Sequence, residues 1–128
     1  GYTLDGGPLG SIEDESFSAD ALKLKITGVS AHPGYAKNKM INAIKIASQL
    51  ITSLPQDRMT PETTEKREGF IHPMSIAGGL EQAEIDFIIR DHNTAKLAEY
   101  ESLIEEKIQE IIELLIKFCY NEIIIFLF

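Results

Sequence analysis

Residues 22–54, LKLKITGVSAHPGYAKNKMINAIKIASQLITSL, change hydrophobic period within a few positions. Up to Thr27 apolar and polar residues alternate, as in a strand with one buried face. From Met40 the apolar residues recur at steps of three and four, as in an amphipathic helix. His32-Pro33-Gly34 stands at the junction and reads as a tight turn. Its histidine is held firmly between two regular elements but poorly buried, which suits contact with something outside its own domain.

The pattern continues along the chain. Residues 1–14, rich in glycine and then acidic, read as a connector, and residues 15–128 as one domain. Phe17, Ala19 and Ala21 alternate, and then Leu22, Leu24 and Ile26 do so in the opposite phase. A strand with a bulge or bend accounts for the slip. Lys23, Lys25 and Thr27 take the other face, which makes one side of the sheet wet. Asn38 is a candidate N-cap for a helix carrying Met40, Ile44, Ala47, Ile51 and Leu54, widened by Ile41, Ala43, Ile46 and Leu50. Pro55 ends it, and residues 55–69 form a polar loop. Residues 70–77 read as a short second strand that Pro73 confines to a sheet edge or a bulge. Gly78-Gly79 signals a hairpin. In the return strand Ala83, Ile85, Phe87 and Ile89 face one way, and Glu84, Asp86 and Arg90 the other. Residues 91–94 turn into a second helix capped by Asn93 or Thr94, with a seam of Leu97, Tyr100, Ile104, Ile108, Ile111, Leu115 and Phe118. The terminal NEIIIFLF, dense in β-formers, supplies a fourth strand. The expected fold is therefore α+β, a ferredoxin-like β-α-β-β-α-β arrangement of two helices on one face of a four-stranded antiparallel sheet.

Composition excludes several classes. A chain of 128 residues with 44% hydrophobic content suffices for one domain with a sizeable core. A net charge of −8 leaves no basic stripe to displace counterions from phosphates, so nucleic acid is not an expected partner. The single Cys119 excludes an internal disulfide framework and fits a reducing compartment, the cytoplasm. GYTLDGGPLG lacks the basic start and apolar run of a secretory signal, and the opening glycine suggests a fragment or a processed chain. Glu113, Lys117, Asn121 and Glu122 interrupt the apolar end, so no membrane span is expected.

Candidate chemistry is sparse. His32, His72 and His92 are too far apart in sequence for local metal-ligand spacing, and Cys119 is remote from all three. Read one at a time, His32 is a turn histidine, Asp5 a turn aspartate before two glycines, and Arg90 a solvated arginine. Glu105, Glu106, Glu110 and Glu113 read as the wet side of a helix, and Cys119 as a core thiol.

Taken together, the segments YTLDGG, ITGVSAHPGYAKNKMINAIKIA, GFIHPMSIAGG and IDFIIRDHN resemble, in order and spacing over roughly residues 1–110, the peptidase T family. This is the tripeptide aminopeptidase branch of the co-catalytic zinc metallopeptidases that also include aminoacylase and carnosinase. The resemblance implies a two-domain enzyme of which this chain is the lid or dimerisation domain. The parent would hold two zinc ions about 3.5–4 Å apart and release the N-terminal residue of tripeptides. Asp5 matches a zinc-ligand position at the end of the catalytic domain. His32 matches the lid histidine that reaches across the dimer to the scissile carbonyl or its oxyanion. Arg90 matches the lid arginine that holds the substrate carboxylate, a task its two parallel donors suit. Asn42 matches a recurrent substrate-binding position. The other metal ligands and the general-base glutamate have no counterpart here, so the chain alone is expected to be inactive and to bind no zinc. NEIIIFLF also departs from the family's more polar strand.

Action of His32 across a dimer requires pairing. The unpaired edge of the second strand and the first helix beside it are the expected homodimer surface, joining two sheets into one about a two-fold axis. Pro73 must then turn away from the partner or fall at a bulge. Two other readings share the fold: a free-standing small-molecule-binding regulatory module, which has no use for YTLDGG, and an interaction domain that associates through its apolar tail.

Overall fold

Alternation of apolar residues at positions 22, 24, 26 and 83, 85, 87, 89 leaves each of two segments with one face that must leave water. In the computed structural model, which describes residues 10, 16–117 and 124–127, these segments are the paired strands β1 (Ser18–Thr27) and β3 (Gln82–Asp91). They run antiparallel in one unbroken register from Ser18 opposite Asp91 to Thr27 opposite Gln82. β2 (Phe70–Gly78) pairs with the other side of β3. Two helices, α1 (Ala43–Ser53) and α2 (Leu97–Lys117), cover one face. The result is an α+β domain whose antiparallel sheet has the order β2-β3-β1, with a short segment, β4 (Ile124–Leu127), antiparallel beside β1.

The core lies between the sheet and the helices. Leu24, Ile26, Ile85, Phe87 and Ile89 are fully buried under Ala43, Ile46, Ala47 and Leu50 of α1 and Tyr100, Ile104, Ile108 and Ile111 of α2. Ile125 of β4 packs at its margin. Among the described residues no helix is long and apolar enough to cross a membrane. Phe118 and Cys119 lie outside them.

Two expectations are corrected. β1 has no bulge, since its register with β3 is constant along all its residues. The phase slip has another cause. Phe17, Ala19 and Ala21 sit on the open face of the sheet, so the apolar residues change sides while the register stays constant. Asn38 does not cap α1. It occupies the left-handed region at φ 59° within a turn, which asparagine tolerates. Asn42 is the cap instead, its Oδ1 accepting from the N–H groups of Ile44 and Lys45 at 3.0 and 3.3 Å. The later start rotates the seam, and Ile44 is left 49% exposed. Pro73 lies at the expected irregularity, a register shift between Pro73 and Ser75.

The corner after β3 is fixed by one buried carboxylate. Asp91 accepts from the Asn93 N–H at 2.7 Å and from the Tyr100 hydroxyl at 2.6 Å. Burial alone would raise its pKa. The bonds from Tyr100 and Asn93, with Lys96 and His92 nearby, outweigh burial and hold it below the usual carboxylate range. Burial and the same bond push the Tyr100 phenol up, so it stays protonated and donates. Gly69 passes so close to Asp91 and Tyr100 that a Cβ there would collide with both. Asn93, in turn, accepts from the Ala95 N–H and opens the 3-10 turn Thr94–Lys96 that leads into α2.

Two outcomes follow for denaturant unfolding. Phe87→Ala loses about 3–5 kcal/mol through the cavity it leaves. Tyr100→Phe leaves the Asp91 carboxylate short of a donor and loses about 1.5–3 kcal/mol. Because folding depresses the Asp91 pKa, its contribution is fully present above the unfolded pKa. It disappears as pH falls through the folded one. Tyr100→Phe therefore flattens the loss of stability below about pH 4, and an acid titration of both proteins checks it.

Candidate functional site

His32 is exposed on a loop closed at its base by paired backbone bonds. Val29 and Ile41 each donate to the other's carbonyl, at 2.8 and 2.9 Å. Below them Gly28 N–H donates to Glu81 O and Ala43 N–H to Leu80 O, which ties the loop to the β2–β3 hairpin. A side chain at position 28 would collide with the carbonyls of Ile41 and Leu80, so this close approach requires glycine. At the tip His32 is the N-cap of the 3-10 turn Pro33–Tyr35. Its Nδ1 accepts from the Gly34 N–H at 3.1 Å. A neutral imidazole with Nδ1 so engaged carries its proton on Nε2, which turns a donor outward. The Tyr35 ring lies 5.7 Å away.

Arg90 is exposed on the open face of β3, between Ala19 of β1 and Phe70 of β2. Further along that face the charges meet across strands. Lys23 lies 3.2 Å from Asp86 and Lys25 lies 3.9 Å from Glu84. Ser75 donates to Asp86 at 2.6 Å. That bond, with Lys23 beside it, lowers the Asp86 pKa. Around Arg90 the company is aromatic instead. Phe17 lies against His92 at 3.9 Å between ring centroids and 6.3 Å from Phe70, which in turn lies 6.5 Å from His72.

The structure does not bring His32 and Arg90 together. Arg90 is opposite Ala19, and β1 ends at Thr27. That is eight residues (27 − 19 = 8) along a strand rising about 3.4 Å each, so the two ends stand about 27 Å apart. Asn42 stands at the base of the His32 loop, and its Oδ1 is engaged by the helix cap. Asp5 lies outside the described residues. Among those residues no three His, Cys, Asp or Glu side chains gather as a metal site would need. The described residues thus do not fit a zinc pair. One depression, between the end of α1, the 55–69 loop and β2, holds about 100 Å³, well below the size of a peptide site.

Sequence reasoning missed the Asp91–Tyr100 bond and the rings around Arg90. A signal for the rings was present in Phe17, Ala19 and Ala21, whose phase marks an apolar stretch on the open face.

Comparison with known proteins completes the picture. Residues 15–113 match the family described as the peptidase dimerisation domain. The chain is 47% identical over 104 residues to peptidase T of Lysinibacillus sphaericus, covering 81% of this chain and 25% of that protein. It is 49% identical over 102 residues to peptidase T of Halothermothrix orenii, covering 80% and 25%. It is 46% identical over 110 residues to peptidase T of Bacillus subtilis, covering 86% and 27%. The chain thus spans about a quarter of the length of the curated relatives it matches. Its fold is similar to part of a crystal structure from methicillin-resistant Staphylococcus aureus, with TM-score 0.67 and 20% identity, covering 88% of this chain and 28% of that one. It is also similar to part of the aminobenzoyl-glutamate utilization protein of Klebsiella pneumoniae, with TM-score 0.53 and 14% identity, covering 87% and 27%. A strand, a pinned histidine loop, a helix and a hairpin in this order, matched by a family model over most of the chain, place it in the peptidase dimerisation domain family, with peptidase T proteins among its relatives.

Proposed function

We propose that this chain is the lid and dimerisation domain of a zinc-dependent tripeptide aminopeptidase of the peptidase T kind. In this reading residues 1–14 are the connector from a catalytic domain and residues 15–128 are the lid. The fold is the full ferredoxin-like β-α-β-β-α-β, a reading that the pairing of Ile124–Leu127 with β1 supports. Two zinc ions belong with the remainder of the longer cytoplasmic protein, and Asp5 is the residue of this chain that joins them.

One observation carries the assignment of roles: His32 and Arg90 sit at opposite ends of the sheet. β1 starts at the Arg90 end, and β4 runs back toward that same end, with Thr27 opposite Ile124 and Leu24 opposite Leu127. A lid hung from its catalytic domain there keeps Arg90 near its own active site and holds His32 away from it. Arg90 then holds the terminal carboxylate of a tripeptide in cis. His32 serves the active site of a partner, where Nε2–H donates to the oxygen of the scissile carbonyl as charge develops. Asn42 contributes through its amide nitrogen, since its oxygen caps α1.

The partner is a second copy, paired through the β2 edge and α1. Ile76 of β2 is 53% exposed and Ile44 of α1 is 49% exposed, and covering such apolar surface favours association. The regulatory-module and tail-driven readings gain no comparable support.

In the full-length protein His32→Ala lowers kcat on a tripeptide by about 10²–10³-fold, as loss of an oxyanion donor does, with little change in KM. An undiminished kcat removes the role. Arg90→Ala raises KM for peptides with a free carboxylate by about 1.5–3 kcal/mol in binding and spares their amides. Light scattering reports a dimer that Ile76→Asp converts to monomer. A monomeric wild type contradicts the pairing.

A further inference from the structure

Phe70 of β2 and Phe17, just before β1, share the open face with Arg90. Phe70 is its direct cross-strand neighbour. Phe17 precedes β1 and is 41% exposed. Their rings lie 6.3 Å apart, and the His92 ring lies 3.9 Å from that of Phe17. On the β1 side Arg90 faces Ala19, with exposed Ala21 opposite Ile88 two positions along. These side chains are small and exposed, so the guanidinium stands on the open face with a touching aromatic pair on one side and alanines on the other. The lysines of this face stand opposite acids, whereas Arg90 stands opposite Ala19 and Phe70. An anion is therefore matched to Arg90, and apolar matter to the surface beside it.

The spacing suits one molecule doing both. Direct cross-strand neighbours hold their Cβ atoms about 5 Å apart, comparable to the separation between a residue's carboxylate and the body of its own side chain. We propose that Phe17 and Phe70, over Ala19, receive the side chain of the residue whose carboxylate Arg90 holds, so that the enzyme favours tripeptides ending in a large apolar residue. This rests on the carboxylate-binding reading of Arg90. Phe17 and Phe70 are specificity-determining residues in it. The rings discriminate by contact area, which for a partly open pocket gives graded preference rather than strict exclusion.

The test uses the full-length protein and tripeptides identical but for a third residue of glycine, leucine or phenylalanine, each as free acid and as amide. Wild type prefers leucine over glycine in kcat/KM. Phe70→Ala and Phe17→Ala each cut that preference by about tenfold, the glycine peptide losing far less than the leucine one, and Phe70→Leu restores part of it. A leucine-to-glycine ratio unmoved in both alanine variants overturns the proposal. So does an equal loss on both peptides, which would mark the rings as a seat for the rest of the protein. Arg90→Ala reports separately on the reading beneath it. An equal loss on acids and amides removes the carboxylate role, whatever the ratio in the phenylalanine variants.

Discussion

The antiparallel ladder between β1 and β3 is the constraint on which the rest of the molecule depends. Its register places Leu22, Leu24 and Ile26 beside Ala83, Ile85, Phe87 and Ile89 on one buried face. A slip of β1 by one residue would turn Leu22, Leu24 and Ile26 into solvent and bring Lys23 and Lys25 into the core. The cost of burying those charges keeps the register where it is. The helices then have only one face to cover, and the other face stays open.

A fixed ladder also fixes distance. The His32 loop grows from the Thr27 end, where Val29, Ile41 and the hairpin carbonyls pin its base. Arg90 stands at the Ser18 end, where Asp91, Asn93 and Tyr100 lock the corner into α2. Each candidate residue is exposed, yet each is anchored by backbone bonds or a buried carboxylate next to it. An exposed side chain on a rigid base loses little freedom when it meets a ligand. The proposed roles use this: two rigid ends of one sheet serve two different active sites.

Much of this was legible in the sequence. The change of period between Thr27 and Met40 marks the strand, turn and helix correctly, and Pro73 marks an irregular strand. His32 is a rigid, exposed turn residue as its neighbours Pro33 and Gly34 suggest. Other features were hidden for physical reasons. Asn38 and Asn42 are both good caps by type, and only the Val29–Ile41 bridge decides between them. The Phe17–Ala21 stretch mimics a bulge, because alternation alone cannot tell a bent strand from one with apolar residues on both faces. The Asp91–Tyr100 bond joins a strand end to a helix seam, and nothing in the spacing of an aspartate and a tyrosine announces it. The distance between His32 and Arg90 follows from the β1–β3 register, which a linear reading leaves open.

The central claim is that His32 works in the active site of a second copy. Hybrid dimers of the full-length protein test it most directly. One protomer carries His32→Ala and the other lacks a metal ligand of its catalytic domain, and each homodimer alone is inactive. Action across the dimer predicts that mixing restores tripeptide hydrolysis, because the intact lid of one copy meets the intact metal centre of the other. If the mixed sample stays as inactive as its parents while light scattering confirms hybrid formation, His32 does not act on the partner and the account fails.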